Sequence, residues 1–455
     1  MKTLTKGKMW MFAIGQFGYS ILSGLIGSWL VYFYQPTKEF IEQGQNPLIP
    51  QGKVIFGVLT ILGLIAAAGR IFDAITDPIV ASMSDKCKSK NGRRIPFLKV
   101  SAIPLAVVTV LVFSAPFAPE SKANAAWLLV TVALYYLFIT AYCTPYTALF
   151  AELGQTPEER MYLSTSISLT FIMGTAVAYV APTLWGVFIG AGMGRIAAIR
   201  TAMLILAVIS VIGMMFPVFF IKETDYVEAK PVESTALQSL AATFKNKDFC
   251  IFVGSDIFYW IGLTMFQTGL PFFVTLLMGL DESMNTILFV GMTALSLVFY
   301  VPINAMTKKL GKKNMILLAF ALFTITFAFT SLTGKYIPLP PIIQGILVVL
   351  LGSFPMAIFG ILPQALVADV AEYESNETGE NRQGMFFAAR TFCFKLGQSL
   401  AMLLFTSIST IRALGGETTE FGVRTVAVVA SILCLTGGVI LVFFNSKKIS
   451  DGIKK

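Results

Sequence analysis

The chain has 455 residues, 56% of them hydrophobic and only 13% charged, with a mean hydropathy of +0.75. Soluble domains carry about 25% charged residues, so a string of soluble domains is excluded and a polytopic membrane protein is expected. The net charge of +9 then bears on orientation in a bilayer rather than on nucleic acid, and no nucleic-acid partner is expected. Histidine is absent, which excludes His-based metal sites and catalytic triads and leaves carboxylates to carry any proton.

Roughly 20 apolar residues cross the hydrocarbon layer. That rule predicts an all-α protein with twelve transmembrane helices, near 9–34, 54–82, 97–117, 125–150, 161–188, 199–221, 249–277, 286–306, 315–332, 342–368, 385–410 and 423–444. The amino-terminal run has no small-residue cleavage site after it, so a retained first helix is expected rather than a signal peptide.

The second span contains Arg70, Asp73 and Asp77, and each charge costs about 2.5–3.5 kcal/mol at a helix centre. On a helix, the i, i+3, i+7 spacing puts all three on one face. Asp73 and Asp77 are one turn apart and form a candidate site for one cation, H⁺ or Na⁺. Two carboxylates repel in low dielectric, and a bound cation relieves that repulsion. The competing reading is structural: Arg70 neutralises one acid and the other caps a helix end before Pro78. The loop that follows, Asp85 to Arg94, reads as a gating and anchoring device, with Arg93 and Arg94 near helix ends and anionic headgroups.

Residues 222–248 form the one long polar connection. It divides the chain into a first six-helix half (1–221), a linker, and a second half (249–455), and 234–244 could lie on the membrane surface as a short amphipathic helix. The halves repeat weakly. Pro78-Ile79-Val80-Ala81 before Gly92-Arg93-Arg94 is echoed by Pro302-Ile303-Asn304-Ala305 before Gly311-Lys312-Lys313. Pro145 to Glu152 is echoed by Pro363 to Asp369. Such same-sense repeats of six helices mark the major facilitator fold. Most of the 34 Lys and Arg residues fall on the side of the two termini, so both termini are expected in the cytoplasm, in an inner or plasma membrane.

Further intramembrane charges are Asp256 in span seven and Arg390 and Lys395 in span eleven. Arg390 and Lys395 are candidate ligands for substrate hydroxyls or an acidic group. Lys395 could equally pair with the aspartates, and Asp256 with Arg390 or Lys395. Glu152, Arg160, Asp369 and Arg382 are candidates for cytoplasmic ion pairs. Among the aromatics, Tyr142 and Tyr146 are candidate sugar-stacking rings. The five cysteines form no metal or redox motif. No phosphate-cradling GxxxxGK[ST] loop is present, and neither enzymatic activity nor a cofactor is expected.

Arg70-x-x-Asp73-Ala74-x-x-Asp77-Pro78, Ser84-Asp85-Lys86 with Gly92-Arg93-Arg94-x-Pro96, and Pro145-Tyr146 with Glu159-Arg160 resemble the glycoside–pentoside–hexuronide:cation symporters, the melibiose permease family of the major facilitators. So do Ala368-Asp369-Val370-x-Glu372-Tyr373 with Arg382-x-Gly384, and Phe394-Lys395-Leu396-Gly397. The resemblance covers nearly the whole chain. It implies sugar or glycoside:cation symport by alternating access, with Asp73 and Asp77 on the coupling cation, Thr140 as a neighbouring oxygen ligand and Lys395 near both sites. It also places Tyr19 and Ser20 where the family has a lysine and a sugar-binding aspartate, Cys143 where it has a third carboxylate, and Ser168 where it has a cavity arginine. Fewer carboxylates weaken the case for Na⁺, a hard cation wanting several oxygens, and keep H⁺ in view. Arg390 with Lys395 leaves room for an anionic sugar such as a hexuronide. Competing expectations are lysolipid transport on the same fold and a sugar sensor that binds without transport. A monomer is expected.

Overall fold

A computed structural model of the chain describes residues 4–42, 46–55, 59–154, 157–226, 243–378, 383–413 and 417–453. The amino-terminal helix α1 (Lys6–Tyr34) is followed by a short helix α2 (Lys38–Glu42) and a two-stranded antiparallel hairpin, β1 (Lys53–Ile55) and β2 (Leu59–Thr60). Next come α3 (Ile61–Asp85), α4 (Ile95–Val112), α5 (Lys122–Leu153), α6 (Pro157–Tyr179), α7 (Ala181–Gly190) and α8 (Arg195–Phe220). The second half has α9 (Lys247–Phe272), which runs on as one π-helical turn (Phe273–Leu277), then α10 (Met284–Val298), α11 (Tyr300–Leu310) and α12 (Lys312–Leu332). It closes with α13 (Pro341–Thr378), α14 (Gln383–Ser409), α15 (Glu420–Val442) and a short helix α16 (Ser446–Ile453).

Ten of these helical stretches are long and apolar enough to cross a bilayer, α6 and α7 together forming one of them. The pair α10 and α11, bent by 50°, makes an eleventh. Its bend falls just before Pro302, which has no N–H to return to the Val298 carbonyl. Helix α3 is the twelfth. At 25 residues it is about 37 Å long, more than the hydrocarbon thickness of about 30 Å. It fails a test of apolarity alone because every 18-residue window of it holds Arg70, Asp73 and Asp77.

The span expected from 54 to 82 needs correcting. Its first residues are hairpin, and the helix starts where the Thr60 hydroxyl accepts the Gly63 N–H at 3.1 Å as an N-cap. The expected surface helix at 234–244 falls almost wholly outside the described residues.

Two compact units are distinguished, Met1–Val232 and Glu233–Ala413 with Thr418–Lys455. Each uses the same devices at both ends of its third helix. In the first, Arg200 of α8 donates to the carbonyls of Phe113 (3.2 Å) and Ala115 (3.3 Å) at the end of α4. In the second, Arg424 of α15 donates to Ser331 (2.7 Å) and Thr333 (2.8 Å) at the end of α12. At the opposite ends, Arg94 meets Glu152 at 2.8 Å and Lys312 meets Asp369 at 2.6 Å. A helix leaves its last carbonyls unpartnered and favours cations there, so an arginine from the sixth helix is a physical solution reached in both units.

Candidate functional site

The site begins with the packing of α3 on α5. A Cβ on Gly69 would stand 2.5 Å from Val132 Cγ1 and 2.7 Å from the Tyr136 ring, so the two helices approach as closely as a missing side chain allows. Further along, Thr140 Oγ1 donates to Asp73 Oδ1 at 2.5 Å and Thr144 Oγ1 to Asp77 Oδ1 at 3.2 Å. Contacts advance together along both chains, so α3 and α5 run parallel, and the two acid–hydroxyl pairs share one sequence offset of 67 residues. Asp73 is 4% exposed and Asp77 half-buried. Arg70 holds its guanidinium carbon 5.3 Å from the centre of the Tyr136 ring, one turn before Asp73. Two carboxylates and two hydroxyls in a low-dielectric wall make a set of oxygen ligands for a small cation, or a pair of bases for a proton.

Thr140 therefore lies beside Asp73. Thr144 is new: its spacing from Thr140 repeats that of Asp77 from Asp73, and the matching periods are visible once the two helices are set side by side. Gln16 is a second addition. Its Oε1 accepts from the Tyr19 hydroxyl at 2.6 Å and its Nε2 donates to Ser20 Oγ at 2.9 Å, tying both span-one candidates into one polar cluster on α1.

Tyr142 and Tyr146 are enclosed. Their hydroxyls donate to the carbonyls of Met214 and Phe12, both at 2.8 Å, and Tyr146 stacks on Phe12 with ring centres 4.3 Å apart. These contacts bolt α5 to α8 and α1, and a sugar could stack on either ring only after they open. Arg390 is also engaged. Its Nε and Nη2 grip Asp256 Oδ2 at 2.8 Å and Oδ1 at 3.1 Å, with both side chains buried. Of the two partners weighed for Asp256, this is Arg390, and the fork leaves that guanidinium little to offer a substrate. Lys395 is half-buried on α14, rotated about 100° from Phe394, which stacks on Trp260 with centres 4.7 Å apart.

The loop residues are placed differently from expectation. Arg94 is 5% exposed, so it does not reach headgroups. It bridges Asp85 (2.5 Å) and Glu152 (2.8 Å), and Arg93 adds a contact to Glu152 at 3.3 Å. Burial alone would lower the pKa of Arg94, but hydrogen bonds and charge from Glu152 and Asp85 raise it above the usual arginine value. Asp369 pairs with Lys312 rather than with an arginine. The side chain of Arg160 and all of Arg382 lie outside what the structure describes.

The sequence profile of the family described as MFS/sugar transport protein matches residues 11–448. The isoprimeverose transporter of Lactiplantibacillus pentosus is 24% identical over 86% of this chain and 77% of its own. The inner membrane symporter YicJ of Escherichia coli (strain K12) is 23% identical over 84% and 80%. Among solved structures, the nucleoside transporter NupG superposes with a TM-score of 0.66 at 14% identity, over 96% of this chain and 99% of that one.

Proposed function

The chain belongs to the MFS/sugar transport protein family, and from that premise we propose that it carries a sugar or glycoside across a membrane together with H⁺ or Na⁺. It is a multi-pass membrane transporter and not an enzyme. One observation carries the coupling: two acids in the middle of a span, each facing a hydroxyl of a parallel helix. With the pair empty, the negative charges repel and the wall is strained apart. A proton or Na⁺ between them removes that cost, and a sugar that binds better to the relaxed wall becomes linked to the ion by the same free energy in both directions. Lys395 is the candidate that senses both, by trading carboxylate for substrate hydroxyl. The names of the relatives, an isoprimeverose transporter and an inner membrane symporter, favour a glycoside and an inner membrane. The bias of Lys and Arg favours cytoplasmic termini.

The test is uptake into proteoliposomes under imposed pH or Na⁺ gradients, with a panel of neutral and acidic glycosides. Accumulation of at least one glycoside should follow one gradient and not the other. Asp77→Asn should insert normally and lose gradient-driven accumulation. Wild-type accumulation by that variant would remove Asp77 from the mechanism, and ligand that binds without accumulating under any gradient would replace transport with sensing.

A further inference from the structure

We propose that Glu223 is a positioning residue for the coupling-ion site, acting through Arg94 on the spacing of α3 and α5. Glu223 follows α8 in a single turn of 3₁₀-helix and is 2% exposed. Its Oε1 accepts the N–H of Arg93 at 2.7 Å, and its Oε2 those of Arg94 at 2.8 Å and Ile95 at 3.0 Å. These amides open α4 and have no partner within the helix, and the helix dipole adds to their attraction for a negative charge. Gly92, at φ +104°, leaves the space: a Cβ there would run into the Glu223 carboxylate. A surface acid would need no such seat.

The backbone so held is that of Arg94, whose guanidinium reaches three side chains at once. They are Asp85 at 2.5 Å, Glu152 at 2.8 Å and the Ser84 hydroxyl at 2.5 Å. Asp85 ends α3 and Glu152 lies one residue from the end of α5. They stand at the same sequence offset as Asp73 from Thr140 and Asp77 from Thr144. Asp77 to Asp85 is eight residues, as is Thr144 to Glu152, so the clip lies about 12 Å along both helices from the nearer hydroxyl pair. Without Arg94, two acids would face each other there and push the helix ends apart. A hydroxyl–carboxylate contact already at 3.2 Å has little room before it ceases to be a hydrogen bond.

The second unit solves the same junction with the opposite polarity. Lys313 Nζ donates to the carbonyls of Val442 and Phe444, both at 2.7 Å, in place of an acid accepting amides. The acid cap thus stands in the unit that holds Asp73 and Asp77.

The inference rests on the reading of Asp73 and Asp77 as the ion site, and the test separates the two without knowledge of the sugar. A bound cation raises the thermal midpoint of the folded protein. The midpoint of purified protein, minus that of Asp77→Asn, is followed against Na⁺ at fixed pH and against pH without Na⁺. Wild type should show a saturable difference with one of the two ions. Glu223→Ala should raise the half-saturating ion concentration about five- to tenfold. Glu223→Gln, whose amide oxygen still accepts N–H bonds, should raise it about two- to threefold and carries the test if the alanine variant does not fold. Arg94→Ala should match Glu223→Ala, and the double variant should be no weaker than either, as expected of residues acting in series. A lowered midpoint with unchanged half-saturation would make Glu223 a helix cap and overturn the inference, as would additive losses in the double variant. A wild type that responds to neither ion overturns the reading of the aspartates and the inference with it.

Discussion

Three acids lie in the spans of this protein, and each meets a different chemistry. Asp73 and Asp77 face hydroxyls, which stabilise a carboxylate without cancelling its charge, whereas Asp256 meets a guanidinium, which does cancel it. Only the first kind of partner leaves a net charge for a visiting cation. Thr140→Val and Thr144→Val keep the side-chain shape and delete the hydroxyl, at about 1 kcal/mol for a hydrogen bond to a buried group. Half-saturating ion concentrations in the midpoint titration should rise by roughly three- to tenfold, more for Thr140, whose contact is shorter and whose acid is deeper. Arg390→Met should lower stability by about 3–5 kcal/mol by stranding Asp256, and Asp256→Leu with Arg390→Met should recover most of it. A double variant that unfolds like wild type but no longer binds the transported glycoside would return Arg390 to the binding site. The two aspartates were legible from their spacing alone, because a charge in an apolar run stands out. The Arg390–Asp256 fork was not, since 134 residues separate its partners and no local pattern reports which distant charge will answer. Glu223 was still less visible: in the run Lys222-Glu223-Thr224-Asp225 it reads as one more solvated acid.

Among the elements, α3 and α5 depend on each other most closely. Gly69 is where they touch, and Gly69→Leu would force them apart beside Tyr136, at a cost of about 1–3 kcal/mol or more. The expected signature is selective: ion-dependent stabilisation lost or weakened at least tenfold in titration, with membrane insertion unchanged by carbonate extraction. Equal ion affinity in wild type and Gly69→Leu would show that this contact does not set the spacing at the acids. Most spans were legible because hydrocarbon thickness imposes a length that apolar composition records. The start of α3 was not. Residues 54–60 are apolar enough to continue the run, and what ends it is a hairpin and the cap on Thr60, whose signals are short. The bend between α10 and α11 was legible only as Pro302, since a proline marks where a helix can break and not by how much it turns.

At the scale of the molecule, the two halves repeat in their charges as well as their helices. Arg200 and Arg424 answer the ends of α4 and α12, and Arg94 and Lys312 answer their beginnings. The weak sequence echo around Pro145 and Pro363 was enough to suggest the repeat, yet the arginines sit in unlike surroundings and only geometry pairs them. The charged face of α3 has one more effect, earlier in the protein's life. Three ionised groups cost roughly 7–10 kcal/mol on insertion scales, so this segment should enter the bilayer poorly when it leaves the ribosome alone. Its hydroxyl partners are on α5, some 60 residues later in synthesis, and until then it should linger at the translocon or the interface. Nascent chains truncated after α4 should therefore leave α3 largely uninserted in a glycosylation-mapping assay, and chains extended through Leu153 should insert it. Replacing Asp73 and Asp77 by Asn should abolish the wait, and full insertion of the shorter wild-type chain would show that α3 needs no help.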